Sequence, residues 1–198
     1  MKARVPLILF AASFLLAWSS AASADDTKPA AAIVIAARAE LPDPNFKNSI
    51  VLVMNNVGRA PIGVIVNRPT KIAVSQLFPE NDRLAALQDK VYFGGPVGFT
   101  TLSFLFRADT PQEQALQVLD GVYFSMNRQL LAKLLERDKP MDGLRIFAGY
   151  AGWAPGQLEG EIGRGDWTPT PANAETIFGR KSEHPWPDRE PAGRAQRI

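Results

Sequence analysis

The residues SIVLVMNNVGRAPIGVIV, from Ser49 to Val66, are the clearest indication of the fold class of this chain. This stretch holds two runs of β-branched and aliphatic residues, 49–54 and 61–66, and such runs are typical of buried strands. Only residues 55–60 connect the two runs, and a connection this short favours an antiparallel hairpin. The stretch therefore predicts a sheet built largely from antiparallel pairs.

Short runs of the same kind on both sides of this stretch extend the predicted sheet, and turn residues separate each of them from the next. They are residues 33–35, 91–93, 101–106, 121–125 and 144–148.

Helices are few and follow the strands. The clearest is predicted to start near Asn127, with Ser125 or Asn127 as its cap, and to end before Pro140. Its leucines at 130, 131, 134 and 135 fall on one face. Shorter helices are predicted from Pro155 and over 172–178. Strands in runs with few helices indicate an α+β fold, a single domain with a mostly antiparallel sheet.

The N-terminal residues indicate export. Lys2 and Arg4 precede an apolar run over 5–18, and Ala22-Ser23-Ala24 completes the pattern of a signal peptide with a cleavage site after Ala24. The run is shorter than the roughly 20 residues that span a bilayer. We therefore expect a signal peptide over 1–24, a linker over 25–31 and a periplasmic or secreted protein with no permanent membrane span.

The rest of the chain is expected to form one domain and a tail. Residues 32–179 carry the strand and helix patterns, whereas the proline-rich residues 180–198 have a composition that buries little apolar surface. The sequence thus predicts an α+β domain over 32–179 and a loosely ordered C-terminal tail over 180–198.

Composition excludes several kinds of chemistry. The chain has 198 residues, of which 46% are hydrophobic and 21% charged, as in an ordinary globular protein. It has no cysteine and a single histidine, His184, so a disulfide framework, a thiol nucleophile and a clustered-histidine or cysteine metal site are excluded. The proline-rich surroundings of His184 give a catalytic base little support, and no aspartate partner is assigned to it, which disfavours a Ser-His mechanism. We expect no metal or cofactor.

The charge balance disfavours nucleic acid as a partner. The chain holds 22 Lys and Arg against 20 Asp and Glu. Lys2 and Arg4 lie in the predicted leader, which contains no acid, so the remainder is electrically neutral. Binding to DNA requires clustered cations that neutralise phosphates, and no predicted helix is rich in them.

Four ordered motifs and a tryptophan resemble the YqgE/AlgH family over about residues 33–186. They are Leu41-x-Asp43-x-x-Phe46-x-x-Ser49, Gly63-x-x-Val66-Asn67-Arg68-Pro69, Gly94-Gly95-Pro96-Val97, Gly149-Tyr150-Ala151-Gly152-Trp153-x-x-Gly156-Gln157-Leu158-Glu159-x-Glu161, and Trp167. The resemblance implies a single-domain α+β fold in which a strongly bent sheet partly closes into a barrel with helices around it. Members carry the label of transcriptional regulator, and the family supplies no reaction or ligand to transfer.

This chain departs from the family pattern in two places. Asn55-Asn56 stands where the family usually has Glu-His, and Leu105-Phe106 stands where it usually has Leu-His. An acid–base role for those histidines is therefore absent. Members are also usually cytosolic and lack a leader.

The motifs supply the candidate site residues. Arg68 follows a strand and has a guanidinium suited to a carboxylate or phosphate. One arginine is a weak anion site, however, so a turn at Asn67-Arg68-Pro69, in which the Asn67 side chain satisfies backbone amides, is favoured. Gln157 and Glu161 are four residues apart and share one face of the predicted helix, whereas Glu159 and Glu161 diverge. The predicted ligand-binding residues are Arg68, Tyr150, Trp153, Gln157 and Glu161; no catalytic residue is assigned.

Two of these motifs also have a purely structural interpretation, in which they bind no ligand. Gly94-Gly95-Pro96-Val97-Gly98 has the glycines of a phosphate cradle but lacks the Lys-Ser/Thr of a P-loop, so close backbone packing at a sheet corner is favoured. For the 149–161 stretch, the favoured interpretation is that its acids stabilise a helix start while Tyr150 and Trp153 fill the core.

Three functions compete on the sequence alone. The favoured one is a non-catalytic binding or accessory protein of the cell envelope, with an unknown protein or small-molecule partner. The second is the transcriptional regulator that the family label implies. The third is a hydrolase that uses Glu159 or Glu161 with a bound water.

Overall fold

The structure is a computed structural model that describes residues 32–55 and 60–179. The predicted leader (1–24), linker (25–31) and tail (180–198), including His184, lie outside the described residues. Their predicted roles stay predictions.

In the described residues, strands dominate and short helices connect them. The strands are β1 Ala32–Ala37, β2 Ile50–Met54, β3 Ile62–Ile65, β4 Pro69–Ala73, β5 Lys90–Phe93, β6 Val97–Arg107, β7 Leu116–Leu119, β8 Val122–Ser125, β9 Leu144–Gly152 and β10 Trp167–Pro171. The helices are α1 Val74–Leu77, α2 Arg128–Leu135, α3 Gln157–Gly163 and α4 Ala174–Phe178, with a 3₁₀ turn over Asp82–Leu84. None of these helices combines the length and apolar character that crossing a membrane requires.

The strands join into one sheet, which is antiparallel except for a single pair among the described strands. The order is β10-β1-β2-β3-β9-β6-β8-β7, while β5 pairs with β4 and runs parallel to β9. The predicted hairpin over 49–66 is confirmed, since Val51 pairs with Ile65 and Met54 with Ile62. The α+β class and the bent, partly closed sheet are also confirmed, because the sheet curls into a half-barrel with four described helices around it.

A bend in β9 lets one strand serve both halves of the sheet. Residues 144–148 pair with β6 and β5, whereas Ala151 and Gly152 pair with β3. Gly149 lies between these parts with φ of 73°, a left-handed conformation that side chains with a Cβ rarely adopt. A single glycine therefore sets the curl of the sheet at this point.

Gly94 and Gly95 cross β9 at the bend with almost no space between the backbones. A Cβ on Gly94 would lie 2.2 Å from the Gly149 carbonyl oxygen, and one on Gly95 would lie 2.3 Å from the carbonyl carbon of Tyr150. The Gly94 amide donates to the Ala148 carbonyl at 2.9 Å. The close-packing interpretation of this motif is confirmed.

Helix α2 closes one side of the half-barrel in the predicted way. Of the two caps considered, Asn127 is the one used, because its Oδ1 accepts from the Leu130 amide at 2.9 Å. Leu131, Leu134 and Leu135 are buried in a core cluster with phenylalanines of β6. Helix and sheet thus share one apolar interior on this side.

Several predicted bounds were wrong. β6 begins at Val97 rather than Thr101, because the chain after Gly98 bulges before its register with β9 resumes at Leu102. α3 begins at Gln157 rather than Pro155, since Gly156 takes a left-handed φ of 77° and acts as the N-cap. The proline-rich stretch after Trp167 forms the edge strand β10, where Pro169 and Pro171 remain compatible with pairing to β1.

Candidate functional site

A carboxylate lies at the centre of the Gly149–Glu161 motif. Glu161 Oε2 accepts hydrogen bonds from Trp153 Nε1 at 2.9 Å and from Trp167 Nε1 at 2.8 Å. Its other oxygen, Oε1, accepts from Gln157 Nε2 at 2.9 Å. We call these four residues, together with Phe46, the Glu161 cluster.

Local sequence explains how the cluster forms. Trp153 directly follows β9, and Gly156 turns the chain so that Gln157 and Glu161 lie four residues apart on α3. Gln157 Oε1 accepts from the Ala154 amide at 3.0 Å, which orients its amide nitrogen toward Glu161. Trp167 then opens β10. The shared face predicted for Gln157 and Glu161 is confirmed.

Aromatic rings enclose the cluster. Trp153 and Trp167 are only 6% and 4% exposed, and their ring centroids lie 6.3 Å apart in an edge-on arrangement. Phe46 stacks on Trp153 at 6.5 Å and meets Trp167 edge-on at 5.6 Å. Buried indole N–H groups need acceptors, and Glu161 supplies one for both rings. The arrangement fastens the end of β9 to α3 and β10.

Glu159 has a different environment. It is exposed in the first turn of α3, where a negative charge favours the helix N-terminus. The expected divergence of Glu159 from Glu161 is confirmed, because one side chain faces solvent and the other faces the indoles. The two acids therefore do not form a carboxylate pair.

Arg68 holds a loop. Its Nη1 donates to the Asn45 carbonyl at 2.6 Å and its Nη2 to the Lys47 carbonyl at 2.8 Å, on either side of Phe46. The guanidinium also lies 5.6 Å from the centre of the Phe93 ring. Burial lowers the pKa of Arg68, and the Asp43 carboxylate opposes this shift. Arg68 thus supports the Glu161 cluster through the loop that carries Phe46.

Asn67 satisfies the backbone as the turn interpretation predicted. Its buried side chain accepts from the Ile50 amide at 2.8 Å and donates to the Asn48 carbonyl at 3.0 Å. Asn48 itself has a positive φ of 58°. Asn67 therefore fixes the strained end of the loop that precedes β2.

Replacing Asn67 with alanine is expected to lower the free energy of unfolding by about 2 kcal/mol, because the buried Ile50 amide loses its acceptor. Urea unfolding followed by circular dichroism measures the change. Asn45→Ala is the matched control, since the Asn45 side chain is exposed and makes no described hydrogen bond. Equal stabilities for the two variants would contradict the role given to Asn67.

The predicted site residues are brought together only in part. Trp153, Gln157 and Glu161 are in contact, and Arg68 reaches them through the Phe46 loop. Tyr150 pairs with Val97 at the bend and packs against a different core cluster. Among the described residues, no hydrogen bond or ring contact joins Arg68 or Tyr150 directly to the Glu161 cluster, and ligand binding by these five residues stays a prediction.

Sequence reasoning missed a cleft of about 430 Å³ beside β5 and the start of β9. We call it the Arg145 cleft. Its lining includes Asp89, Lys90, Tyr92, Leu144, Arg145 and Phe178. The missed signal is a cation inside the apolar run 144–148, which the pattern assigned to a buried strand.

Arg145 is firmly held in this cleft. It is 7% exposed, its Nη1 donates to the Val66 carbonyl at 2.9 Å, and its guanidinium lies 4.3 Å from the centre of the Tyr92 ring. A second stacked pair adjoins it, because Arg107 lies 5.2 Å from the centre of the Phe178 ring. In the described residues, no group of three or more Asp, Glu or His side chains is arranged to hold a metal ion.

These features define a class. The chain forms a single α+β domain with a curled half-barrel, its best-placed carboxylate is engaged by three donors, and a cleft with a buried arginine opens beside the sheet. Phe106, which stands where the resembled family usually has histidine, is fully buried in the core.

The chain belongs to the AlgH-like family, whose model matches residues 33–189. A UPF0301 protein of Myxococcus xanthus is 35% identical over 156 residues, which are 77% of this chain and 84% of that protein. The UPF0301 protein CT0663 of Chlorobaculum tepidum is 30% identical over 154 residues, or 77% of this chain and 81% of that protein. The resemblance predicted from the motifs is confirmed.

Two solved structures share the fold. The crystal structure of protein DIP2367 from Corynebacterium diphtheriae matches with a TM-score of 0.60 and 25% identity, over 76% of this chain and 80% of that one. The solution structure of AlgH from Pseudomonas aeruginosa also gives a TM-score of 0.60 and 25% identity, over 74% and 79% of the chains.

Proposed function

We propose that this chain is a non-catalytic binding protein of the cell envelope whose ligand occupies the Arg145 cleft. The observation that carries the proposal is the cleft itself, which is large enough for a small molecule and has an immobilised, buried arginine in its wall. The predicted signal peptide over 1–24 supports a location outside the cytosol.

The geometry of Glu161 speaks against the hydrolase alternative. A general base has to reach a water or a substrate proton, whereas both oxygens of Glu161 accept hydrogen bonds from neighbouring side chains. Glu159 is exposed in the first turn of α3 and diverges from Glu161, so the two acids do not form a carboxylate pair that could act together on a substrate.

The charge distribution speaks against the regulator alternative. Beyond the predicted leader, the sequence carries equal numbers of basic and acidic residues. The helix α2 presents Arg128 and Lys133 to solvent, too few cations for a phosphate-binding face.

Cell fractionation tests the location. We expect the native protein in the periplasm or the medium, with an N-terminus at Asp25 by protein sequencing. The intact 198-residue chain in the cytosol, bound to DNA in a salt-dependent way, would contradict the proposal and favour a regulator.

Turnover assays test the absence of catalysis. We expect no hydrolysis of generic ester, phosphate or glycoside substrates by the purified protein. The opposing result is turnover that Glu161→Gln abolishes and Glu159→Gln leaves intact, in variants shown to be folded by circular dichroism.

A further inference from the structure

The described part of the chain ends at Gly179, beside the Arg145 cleft. Helix α4 ends with Phe178, which lines the cleft, and the Gly179 amide donates to the Glu175 carbonyl at 2.8 Å. Gly179 then takes φ of −70° and ψ of 148°, an extended conformation that leads the chain out of the helix. The residues that follow therefore start at the cleft wall, and an extended chain advances about 3.3 Å with each of them.

The domain shared by the family continues past Gly179. The family model matches residues 33–189, and this range includes residues 180–189. We call residues 180–189 the C-terminal segment. The composition of 180–198 predicts a loosely ordered tail, whereas the extent of the family match favours a C-terminal segment that belongs to the domain and a shorter tail over 190–198.

Three residues at this place interact with more than the groups named above. Tyr92 and Arg145 line the cleft, Gly179 follows Phe178, and each of the three takes part in a further interaction. A contact that begins at Gly179 and continues along the cleft wall accounts for all three.

The polar lining of the cleft suits a polypeptide. It includes the run Gln88-Asp89-Lys90, which presents an amide, a carboxylate and an ammonium group. The C-terminal segment carries charges of both signs, because Arg180 and Lys181 precede Glu183. Its backbone adds donors and acceptors along the whole length. Each charge of the run 88–90 therefore has an opposite charge available in the segment.

Prolines favour an extended conformation for the C-terminal segment. Pro185 and Pro187 stand on either side of Trp186. Proline fixes its own φ and disfavours the helical region for the residue before it. A chain with less conformational freedom loses less entropy when it docks.

We propose that the C-terminal segment, residues 180–189, lies in the Arg145 cleft of its own chain and contacts Lys90 and Gly143. This contact goes beyond the proposed binding function, because it forms with or without a ligand. A ligand of the cleft therefore has to displace the segment.

Amide hydrogen exchange, measured by NMR on the protein as cells accumulate it, tests whether the segment is docked. We expect the amides of residues 180–189 to exchange about tenfold more slowly than those of residues 190–198, because docked backbone groups are protected. Equal exchange rates in the two ranges would overturn the proposal.

A substitution in the segment tests where it docks. Trp186→Ala should shift the amide signals of Lys90 and Gly143, which are far from Trp186 in the sequence but line the cleft. Arg194→Ala is the matched control, because residue 194 lies beyond the segment, and it should leave both signals in place. In the unchanged protein, nuclear Overhauser effects between the Trp186 ring and Lys90 or Gly143 give the same information without a substitution.

The opposing outcomes are distinct. Protected segment amides together with unchanged Lys90 and Gly143 signals in Trp186→Ala would place the segment elsewhere and overturn the proposal. Contacts that form only at high protein concentration would assign the cleft to the segment of a second copy and overturn it as well. None of these results touches the proposed function, which fails on compartment or on turnover instead.

Discussion

Gly149→Ala is expected to lower the free energy of unfolding by about 4 kcal/mol, enough to unfold much of a marginally stable domain. Gly149 has φ of 73°, and an added Cβ would lie 2.5 Å from the Gly95 carbonyl oxygen. The backbone on both sides is paired, so neither strand moves away without breaking the sheet. The energetic cost of the left-handed conformation and the cost of the backbone clash therefore add at this one position.

Two glycines in the same chain separate these contributions. Gly156 has φ of 77° with no atom within 4 Å of a Cβ, so Gly156→Ala should cost only about 1 kcal/mol from left-handed strain. Gly94 lacks a positive φ, but its Cβ would lie 2.2 Å from the Gly149 oxygen, so Gly94→Ala should cost about 3 kcal/mol from overpacking. Urea unfolding of the three variants provides the comparison. If Gly149→Ala costs no more than Gly156→Ala, the crossing of Gly94–Gly95 over β9 is not a constraint on the fold.

Glu161→Ala is expected to lower the free energy of unfolding by about 3 kcal/mol, because each unpartnered buried donor costs roughly 1–3 kcal/mol. The substitution removes the acceptor of the Trp153 and Trp167 indole N–H groups and the partner of Gln157. Near-ultraviolet circular dichroism should also change, since both tryptophan rings lose a fixed orientation.

Two further variants show whether the carboxylate itself matters. Glu161→Gln keeps one oxygen for the indoles but turns an amide N–H toward the Gln157 amide nitrogen, so about half the loss of Glu161→Ala is expected, roughly 1.5 kcal/mol. Glu159→Ala is the matched control on the same helix and should change stability by less than about 0.5 kcal/mol, because Glu159 is exposed. Comparable losses for Glu159→Ala and Glu161→Ala would contradict the structural role of the cluster.

Predictions of secondary structure and pairing were confirmed where the interactions that determine them join residues close in sequence. The hairpin over 49–66 depends on two apolar runs and a short connection, and the start of α2 depends on Asn127 and the amide three residues later. The pairing of Gln157 with Glu161 follows from helical spacing alone. The predicted ends of elements were wrong where they depend on a neighbouring strand. The start of β6 is an example, because its bulge depends on pairing with β9.

In the candidate site, too, the contacts between residues close in sequence were predicted, and the contacts between distant residues were not. The 149–161 motif identified Trp153, Gln157 and Glu161, but the second indole on Glu161 comes from Trp167 at the start of another strand. Arg68 was predicted to bind an anion, but its guanidinium donates to the Asn45 and Lys47 carbonyls. The residues next to Arg68 in the sequence give no sign of these two acceptors. Only the fold brings these groups within hydrogen-bond distance.

The amino-acid sequence was enough for the fold class and the antiparallel hairpin, because periodicity and turn residues act over a few residues at a time. Its four ordered motifs were enough for the family, and its composition for the neutral charge of residues 25–198. Tertiary structure alone decided that β5 lies parallel to β9, that Gly149 meets Gly95, and that Arg145 stacks on Tyr92 beside a cleft. These pairs are separated by about 50 residues of chain, and their distances depend on how the whole sheet curls.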